Sequence, residues 1–293
     1  MSFLLTHLVD PQSGASSRRL AWLASRSDGV PAGSAYLRLF TTAGREHLAE
    51  LDLHVHPAER RAGVGSRLLA AALTAAREEG RQCVTAEVAA GAPGEAFLAA
   101  RGFRAALGLT FTRLAPADVD QAVLAAALAE PHPGYRLVSW EGVVPDELAE
   151  TFAASRRAMD DMPMDGLDYR PAPWDVGRVR AAAEAVARRG DLLHTVAAVD
   201  EAAGTIAGFT ELVVPGDGTG DGQHYGTGVL PEHRGRGLGR WMKAETIRLV
   251  RERHPGLGGL LADTADGNTY MRGINEALGY VPTHRTVHYR FDL

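Results

Sequence analysis

Alternating and helically spaced hydrophobic residues follow one another along the chain in a regular order. The stretch His47-Leu-Ala-Glu-Leu-Asp-Leu-His-Val55 alternates and predicts a strand. Apolar residues from Val64 to Ala76 recur at helical spacing and predict a helix that ends at Gly80. A strand over residues 82–88 and a short helix from Glu95 to Gly102 complete the series, which is typical of an α/β chain.

The same series returns near the C-terminus. Residues Gln223–Leu230 predict a strand, and the apolar residues between Leu238 and Val250 predict a helix that ends at His254-Pro-Gly256. Gly259–Thr264 predicts the next strand, and Asn268–Gly279 predicts a short helix. A repeat of this length indicates the duplication of a whole domain.

The turn between the first strand and the first helix is repeated most closely. Four residue pairs keep a separation of 174 positions: Pro57 and Pro231, Arg60 and Arg234, Gly63 and Gly237, Gly65 and Gly239. The stretch Leu128-Ala-Glu-Pro-His-Pro-Gly134 predicts a linker. We therefore place one domain at residues 1–130 and a second at residues 131–293.

A Gly-x-Gly turn between a strand and a helix favours anion binding. Glycine lets the backbone turn tightly, and the first N–H groups of a helix have no partner inside the helix. Together with the helix dipole these groups form a phosphate site, beside which Arg234 and Arg236 add positive charge. The spacing matches neither a Walker A loop nor a dinucleotide fingerprint. A glycine-rich helix start that binds nothing is the alternative, and the repetition makes it weaker.

The two turns, Arg60-Arg-Ala-Gly-Val-Gly65 and Arg234-Gly-Arg-Gly-Leu-Gly239, resemble the coenzyme A pyrophosphate loop of the GCN5-related N-acetyltransferases (GNAT). The stretch Asn268–Tyr280 is similar to the fourth-helix pattern of that family, which Asn opens and Leu-Gly-aromatic closes. The whole chain resembles the tandem type of the family, the arrangement of mycothiol synthase. The resemblance implies two tandem GNAT folds, each a mixed twisted sheet flanked by helices.

The resemblance also implies that acetyl-CoA binds where the fourth and fifth strands of a domain diverge. Backbone groups near Val229 and Leu230 would hold the pantetheine arm, and Asn268 would contact it. The loop residues implied to hold the pyrophosphate are Arg234, Arg236, Gly237, Leu238, Gly239 and Arg240, with Arg60, Gly63 and Gly65 as their first-copy counterparts.

The second copy has the more complete set of acceptor elements. A strand is predicted at Tyr135–Ser139, and helices at Asp146–Met159 and Pro173–Arg189. The first copy has only about forty-six residues before its fourth strand, and its Gly91–Phe97 region lacks the opening Asn. We therefore expect the second domain to do the chemistry, while the first either binds CoA or braces its neighbour.

Acetyl transfer to an amine requires a base that removes a proton. Glu211 is the first candidate, since it shares one face of the predicted strand Thr205–Val214 with Phe209 and Val213. The alternative is that Glu211 faces solvent. His224 and Tyr225 are further candidates, although a lone histidine is more often structural.

A proton donor for the leaving thiolate is harder to name. In the family pattern a Tyr precedes the closing Gly of the fourth helix by four residues, and here that position is Asn275. Tyr270, Tyr225 or water would have to substitute. The stretch Met159–Asp168 carries Asp160, Asp161, Asp165 and Asp168, which would attract a cationic amine or form a solvated acidic loop.

Composition narrows the remaining classes of function. The 293 residues are 45% hydrophobic and 23% charged, with a formal net charge of -5. This charge disfavours nucleic acid and anionic membranes as partners. The N-terminus lacks a signal-peptide pattern, no apolar run is long enough to span a bilayer, and the single cysteine, Cys83, reads as a buried hydrophobe. We expect a cytoplasmic protein without a metal site.

We therefore predict an N-acetyltransferase that acts on a small, cationic amine. The alternatives are a protein or peptide N-acetyltransferase, which needs a long open groove, and a non-catalytic CoA-binding scaffold, which the missing Tyr favours. We expect the two copies to pack as an internal pseudo-dimer, so that the chain works as a monomer.

Overall fold

The computed structural model describes residues 3–9, 14, 16–42, 44–160 and 173–293. These residues form two compact units, each discontinuous in sequence. Unit 1 holds the described residues of Met1–Gly108 together with Arg285–Leu293. Unit 2 holds those of Leu109–Pro163 together with Pro173–His284. The boundary predicted at residue 130 divides the chain at a single point and stays a prediction.

Unit 1 is a mixed sheet with two helices. Its strands are β1 (Phe3–Val9), β2 (Ser17–Arg26), β3 (Pro31–Phe40), β4 (Leu48–Val55), β5 (Cys83–Ala89) and, from Arg285 onward, β12 (Val281–Asp292). They lie in the order β1-β2-β3-β4-β5-β12. Only β4 and β5 are parallel among the described pairs of this unit. The helices are α1 (Val64–Glu78) and α2 (Pro93–Ala99).

The helix predicted from the spacing of apolar residues is confirmed as α1. Its buried residues Val64, Leu68 and Leu69 form one core cluster with Leu37 and Leu51 of the sheet. Removal of this apolar stripe from water is what drives the helix onto the sheet.

Unit 2 has the same order of elements and additional helices. Its strands are β6 (Arg104–Leu114, here from Leu109), β7 (Tyr135–Glu141), β8 (Leu192–Asp200), β9 (Thr205–Val214), β10 (Gly220–Val229) and β11 (Leu257–Ala265). They lie in the order β6-β11-β10-β9-β8-β7. The helices are α3 (Gln121–Ala129), α4 (Asp146–Ser155), α5 (Val176–Arg188), α6 (Leu238–Arg253) and α7 (Thr269–Ala277).

The sheet of unit 2 carries helices on both faces. Leu212 and Val214 of β9 pack in one cluster with Ile247 of α6. On the other face, Phe209 packs with Phe152 of α4. Successive residues of a strand point to opposite faces, so the prediction that Phe209, Glu211 and Val213 share a face agrees with this arrangement.

Helix α3 was not predicted, and its last residues overlap the predicted linker. Its sequence, Gln-Ala-Val-Leu-Ala-Ala-Ala-Leu-Ala, is apolar on all sides, so it shows no helical period. The Asp120 carboxylate accepts hydrogen bonds from the backbone N–H groups of Ala122 and Val123 and thereby caps the helix.

Candidate functional site

Strands β10 and β11 diverge along their length. Their parallel pairing runs from Gly220↔Leu257 to Gln223↔Leu261. Beyond that point β10 continues along β9 to Val229, and β11 continues along β6 to Ala265. The gap between the two strand ends is called the notch below. A register shift between His224 and Gly226 places Tyr225 in a bulge at the start of the notch.

A cleft of about 530 Å³ opens at the notch. Its walls come from β10, the loop before α6, the start of α7 and the single-turn 3-10 helix Arg156–Met159 that follows α4. Predicted residues that line it are Val229, Arg234, Arg236, Leu238, Gly239, Asn268 and Tyr270. The cleft therefore gathers residues that lie up to 113 positions apart in sequence (158 to 271).

The loop before α6 has the geometry of an anion site. Gly235 and Gly237 both have φ of +75°, a conformation that glycine adopts without strain. Gly237 is the N-cap of α6, so the backbone N–H groups that follow it have no partner within the helix. Arg234 donates from Nε to the backbone oxygen of Val229 at 2.9 Å and so ties the loop to the end of β10.

Residues just before β7 and at its start support this loop, and no sequence pattern pointed to them. His132 donates from Nδ1 to the backbone oxygen of Arg236 at 3.0 Å, since a carbonyl can only accept. Its ring also stacks on Trp241 at a centroid distance of 4.3 Å. The hydroxyl of Tyr135 lies 2.9 Å from Nδ1 of His233. Only the tertiary structure brings these aromatic residues to the loop.

Asn268 begins helix α7 at the opposite wall of the cleft. Its side-chain oxygen accepts a hydrogen bond from the N–H of Met271 at 3.1 Å, which makes it the N-cap. Its side-chain amide nitrogen can still donate to a ligand. Asn275, which occupies the position of the family's Tyr, is buried and donates to Oγ1 of Thr264 at 3.2 Å.

Glu211 is buried and paired, so the alternative that it faces solvent is wrong. Both of its carboxylate oxygens accept hydrogen bonds from the guanidinium of Arg156, each at 2.7 Å. That guanidinium lies 4.6–5.0 Å from the ring centroids of Phe152, Trp174 and Phe209. The role of Glu211 as general base stays a prediction, and this geometry favours a structural role.

The other three candidates differ in exposure. His224 is buried, and its Nε2 lies 2.7 Å from the hydroxyl of Tyr280. Burial, with the nearby charge of Lys243, holds the pKa of His224 well below its usual range, so the imidazole is neutral. Tyr225 is half exposed, and its hydroxyl accepts a hydrogen bond from Arg189 at 2.6 Å. Tyr270 is 60% exposed and lines the cleft.

Unit 1 repeats the loop. Gly63 has φ of +87° and is the N-cap of α1, and Arg60 donates from Nε to the backbone oxygen of Val55 at 3.3 Å. The pairing of β4 with β5 ends at Leu51↔Ala86, so these strands also diverge. The side chain of Phe97 lies 3.1 Å from where a Cβ of Gly65 would stand.

The acidic stretch predicted to attract the acceptor is described only in part. Asp160 follows the 3-10 turn, whereas Asp161, Asp165 and Asp168 lie outside the described residues. Within the described ranges, no helix is both long and apolar enough to cross a membrane. The same residues contain no group of three or more His, Cys, Asp or Glu side chains suited to a metal ion.

Comparison with known proteins identifies the family. The model of the acetyltransferase (GNAT) family matches residues 6–103 and 159–280. Mycothiol acetyltransferase of Nocardia farcinica is 30% identical over 277 residues, which cover 91% of this chain and 81% of the relative. Mycothiol acetyltransferase of Thermobispora bispora is 28% identical over 278 residues, covering 89% and 85%.

Solved structures agree. A tandem GNAT protein from the clavulanic acid biosynthesis pathway superposes with a TM-score of 0.72 at 27% identity, covering 96% of this chain and 84% of the other. A GCN5-related N-acetyltransferase from Sphaerobacter thermophilus has a TM-score of 0.65 at 18% identity, covering 93% and 80%, which shows the fold alone. This chain belongs to the acetyltransferase (GNAT) family. It is an N-acetyltransferase of the tandem type, and the predicted fold class is confirmed.

Proposed function

We propose that unit 2 transfers an acetyl group from acetyl-CoA to the amine of a small molecule. The observation that carries this proposal is the cleft itself, where the notch, the Gly235–Gly237 loop and Asn268 meet. The mycothiol acetyltransferases, whose name implies a small-molecule acceptor, support the choice of acceptor class.

The residues present fit acetyl-CoA. The cleft lies within the usual size range of ligand sites, roughly 300–1,000 Å³. A Cβ at Gly228 would stand 2.9 Å from Cβ of Ala158, and one at Gly239 would stand 3.3 Å from Cδ1 of Ile274. Glycine at these two positions therefore lets the 3-10 turn and α7 pack closely against the walls of the cleft.

We assign the binding roles as follows. The N–H groups from Leu238 to Arg240 bind the pyrophosphate with the positive end of the α6 dipole, and Arg236 adds charge. Asn268 donates its side-chain N–H to the arm, and backbone groups near Val229 and Leu230 hold and polarise the thioester end. Acetyl-CoA itself supplies the activated acetyl group.

Among the four catalytic candidates, we propose Tyr270 as the proton donor, since it lines the cleft with its hydroxyl available. Glu211 is engaged by Arg156, and His224 is buried against Tyr280. Water that enters the open cleft would take the proton of the acceptor amine. A cationic acceptor, a cytoplasmic location and a monomeric state remain part of the proposal.

Calorimetric titration of acetyl-CoA tests this assignment. Gly237→Glu places a carboxylate beside the pyrophosphate, and Gly63→Glu is the matched change in unit 1. We expect Gly237→Glu to abolish one binding site. A site that survives in Gly237→Glu and disappears in Gly63→Glu would show that unit 1 binds the cofactor as well.

A second variant separates a loss of cofactor binding from a loss of folding. A Cβ at Gly237 would stand 2.9 Å from Cε1 of His132, so Gly237→Glu also strains the loop. Arg236→Ala leaves the glycines in place, and we expect it to weaken binding by about 10- to 150-fold, as for the loss of one charged hydrogen bond. Unchanged affinity in both folded variants, or absence of binding by the wild type, would overturn the proposal.

A further inference from the structure

Lys243 is the only lysine in the chain, because the other 30 of its 31 basic residues are arginine. It lies in α6 and is 1% exposed. Lysine is almost never fully buried without a partner, and unlike arginine it can lose its proton inside a protein. The one lysine of the chain therefore lies at a buried position, where its protonation state can change.

The surroundings of Lys243 are only partly polar. Its Nζ lies 4.9 Å from the ring centroid of Tyr280, whose hydroxyl bonds to His224. Burial lowers the pKa of Lys243 to about 7, and the charge of Asp263 opposes this shift.

The ionisable groups near Lys243 on the elements around α6 are His224 from β10, Asp263 from β11 and Tyr280 after α7. Glu130 and His132 contact the first turn of α6, and His194 from β8 bonds His254 at its far end. The segment of α3 contains no ionisable side chain, and the clusters shared with α6 contain Leu212 and Val214 of β9.

This cluster lies at the vertex of the notch. His224 follows Gln223, whose pair with Leu261 is the last before β10 and β11 diverge. Lys243 is one helical turn beyond Gly239, which lines the cleft. The cluster is therefore on the α6 side of the sheet, where the arm of a bound cofactor would enter the notch.

The equivalent position in unit 1 shows that packing does not require a lysine at position 243. The position aligned with Lys243, 174 residues earlier, is Leu69, which is buried in the core of unit 1. Phe103 closes the first copy where Tyr280 closes the second. Burying a charged group costs several kcal/mol, whereas burying a leucine stabilises the fold. A lysine kept at this position therefore points to a role in the working unit.

We propose that the ammonium group of Lys243 supplies the positive charge that stabilises the sulfur anion leaving the acetyl thioester. The inference rests on the function proposed above. The amine nitrogen bonds to the carbonyl carbon, the carbon–sulfur bond breaks with its electron pair on sulfur, and the proton lost by the amine ends on sulfur. Lys243 keeps its own proton and acts through the low-dielectric interior.

A titration without turnover tests the charge. A chain with one lysine gives one ¹³Cε-lysine NMR signal, which reports the protonation of Lys243 directly. CoA should raise the pKa of Lys243 by about one unit or more, because an anion nearby favours the charged form. Desulfo-CoA, which lacks the sulfur, should raise it less. An equal shift with both ligands, or none, would overturn the proposal.

Kinetics of Lys243→Met supply the second test, with Leu69→Met as the matched control in unit 1. Release of CoA thiol from acetyl-CoA, alone and with a panel of amines, should fall by roughly 10- to 100-fold in Lys243→Met. Its affinity for acetyl-CoA should stay within about threefold of wild type, since the loop is untouched. Leu69→Met should behave as wild type.

The outcomes separate the two proposals. Wild type that binds and cleaves acetyl-CoA, with Lys243→Met equally fast, would overturn the role of Lys243 alone. Wild type that does not bind acetyl-CoA would overturn the proposed function and this inference together.

Discussion

Arg61 and Gly235 occupy matching positions in the two copies of the loop, and both adopt the left-handed backbone conformation. Their φ angles are +67° and +75°. Glycine tolerates this conformation, whereas arginine is strained in it. In unit 1 the surrounding structure therefore holds the loop in this conformation, although Arg61 is strained in it.

Gly235→Ala should destabilise unit 2. A Cβ at Gly235 meets no atom within 4 Å, so the cost is backbone strain alone, about 1–2 kcal/mol. Urea unfolding measures it. Gly273→Ala, inside α7 and also with open space around its Cβ, is the control and should stabilise by up to ~1 kcal/mol. Equal effects of the two changes would contradict this prediction.

Arg156→Met should unfold the protein much more easily, because it leaves the carboxylate of Glu211 buried without its partner. Loss of one partner of a buried pair costs roughly 3–5 kcal/mol. Asp146→Asn breaks the exposed pair with Arg180 and should cost less than about 1 kcal/mol. The denaturant midpoints of the two variants measure this difference. A midpoint for Arg156→Met no lower than that for Asp146→Asn would show that the Arg156–Glu211 pair does not stabilise the fold.

Glu211→Gln separates the two roles of this carboxylate. If Glu211 only pairs with Arg156, Glu211→Gln should lower the stability and leave the rate per folded molecule unchanged. As a general base it should affect the rate by about 100-fold or more with little change in the pH-independent affinity for acetyl-CoA. Rates normalised to the folded fraction, measured by circular dichroism, distinguish them.

Asn268 can be changed so that its two contacts respond differently. Asn268→Asp keeps an oxygen that caps α7, so stability should remain. The new charge should weaken acetyl-CoA binding, because the cofactor is anionic. Asn268→Ala should lose about 1 kcal/mol of stability and also weaken binding. Asn268→Asp that binds as tightly as wild type would show that this side chain does not contact the cofactor.

The stability of the protein should increase with pH in the range above 7 because of Lys243. Its pKa is about 7 in the folded state, against 10.5 in the unfolded chain, so between these pH values the unfolded chain binds more protons. The cost of burying the charged ammonium group is therefore full below about pH 7, and it disappears as the pH rises to 10.5. Between these pH values the free energy of unfolding should increase by about 1.4 kcal/mol per pH unit.

Urea unfolding of wild type and Lys243→Met at pH 7, 8 and 9 measures this slope. The variant should be the more stable protein at pH 7, and the difference should shrink toward pH 9. A constant difference across this range would mean that Lys243 does not titrate there.

Local patterns were enough to predict the repeated loop and the strands and helices that flank it in each copy. Alternation and helical spacing depend on neighbouring residues, which is why α1, α6 and the strands around them were correctly placed. The cap of α7 was also readable, because an Asn three residues before the bonded N–H is a local signal.

The sequence by itself determined the fold class, the repeat at 174 positions and the Gly-x-Gly turn, since a motif and its recurrence can be read from the order of residues alone. Only the tertiary structure decided which side chains meet. It pairs Glu211 with Arg156, 55 positions away, and sets His132 against the loop of Arg236. It also buries Lys243, which sequence alone leaves as a polar helical residue. Contacts between residues distant in sequence follow from packing, and a linear pattern carries no record of them.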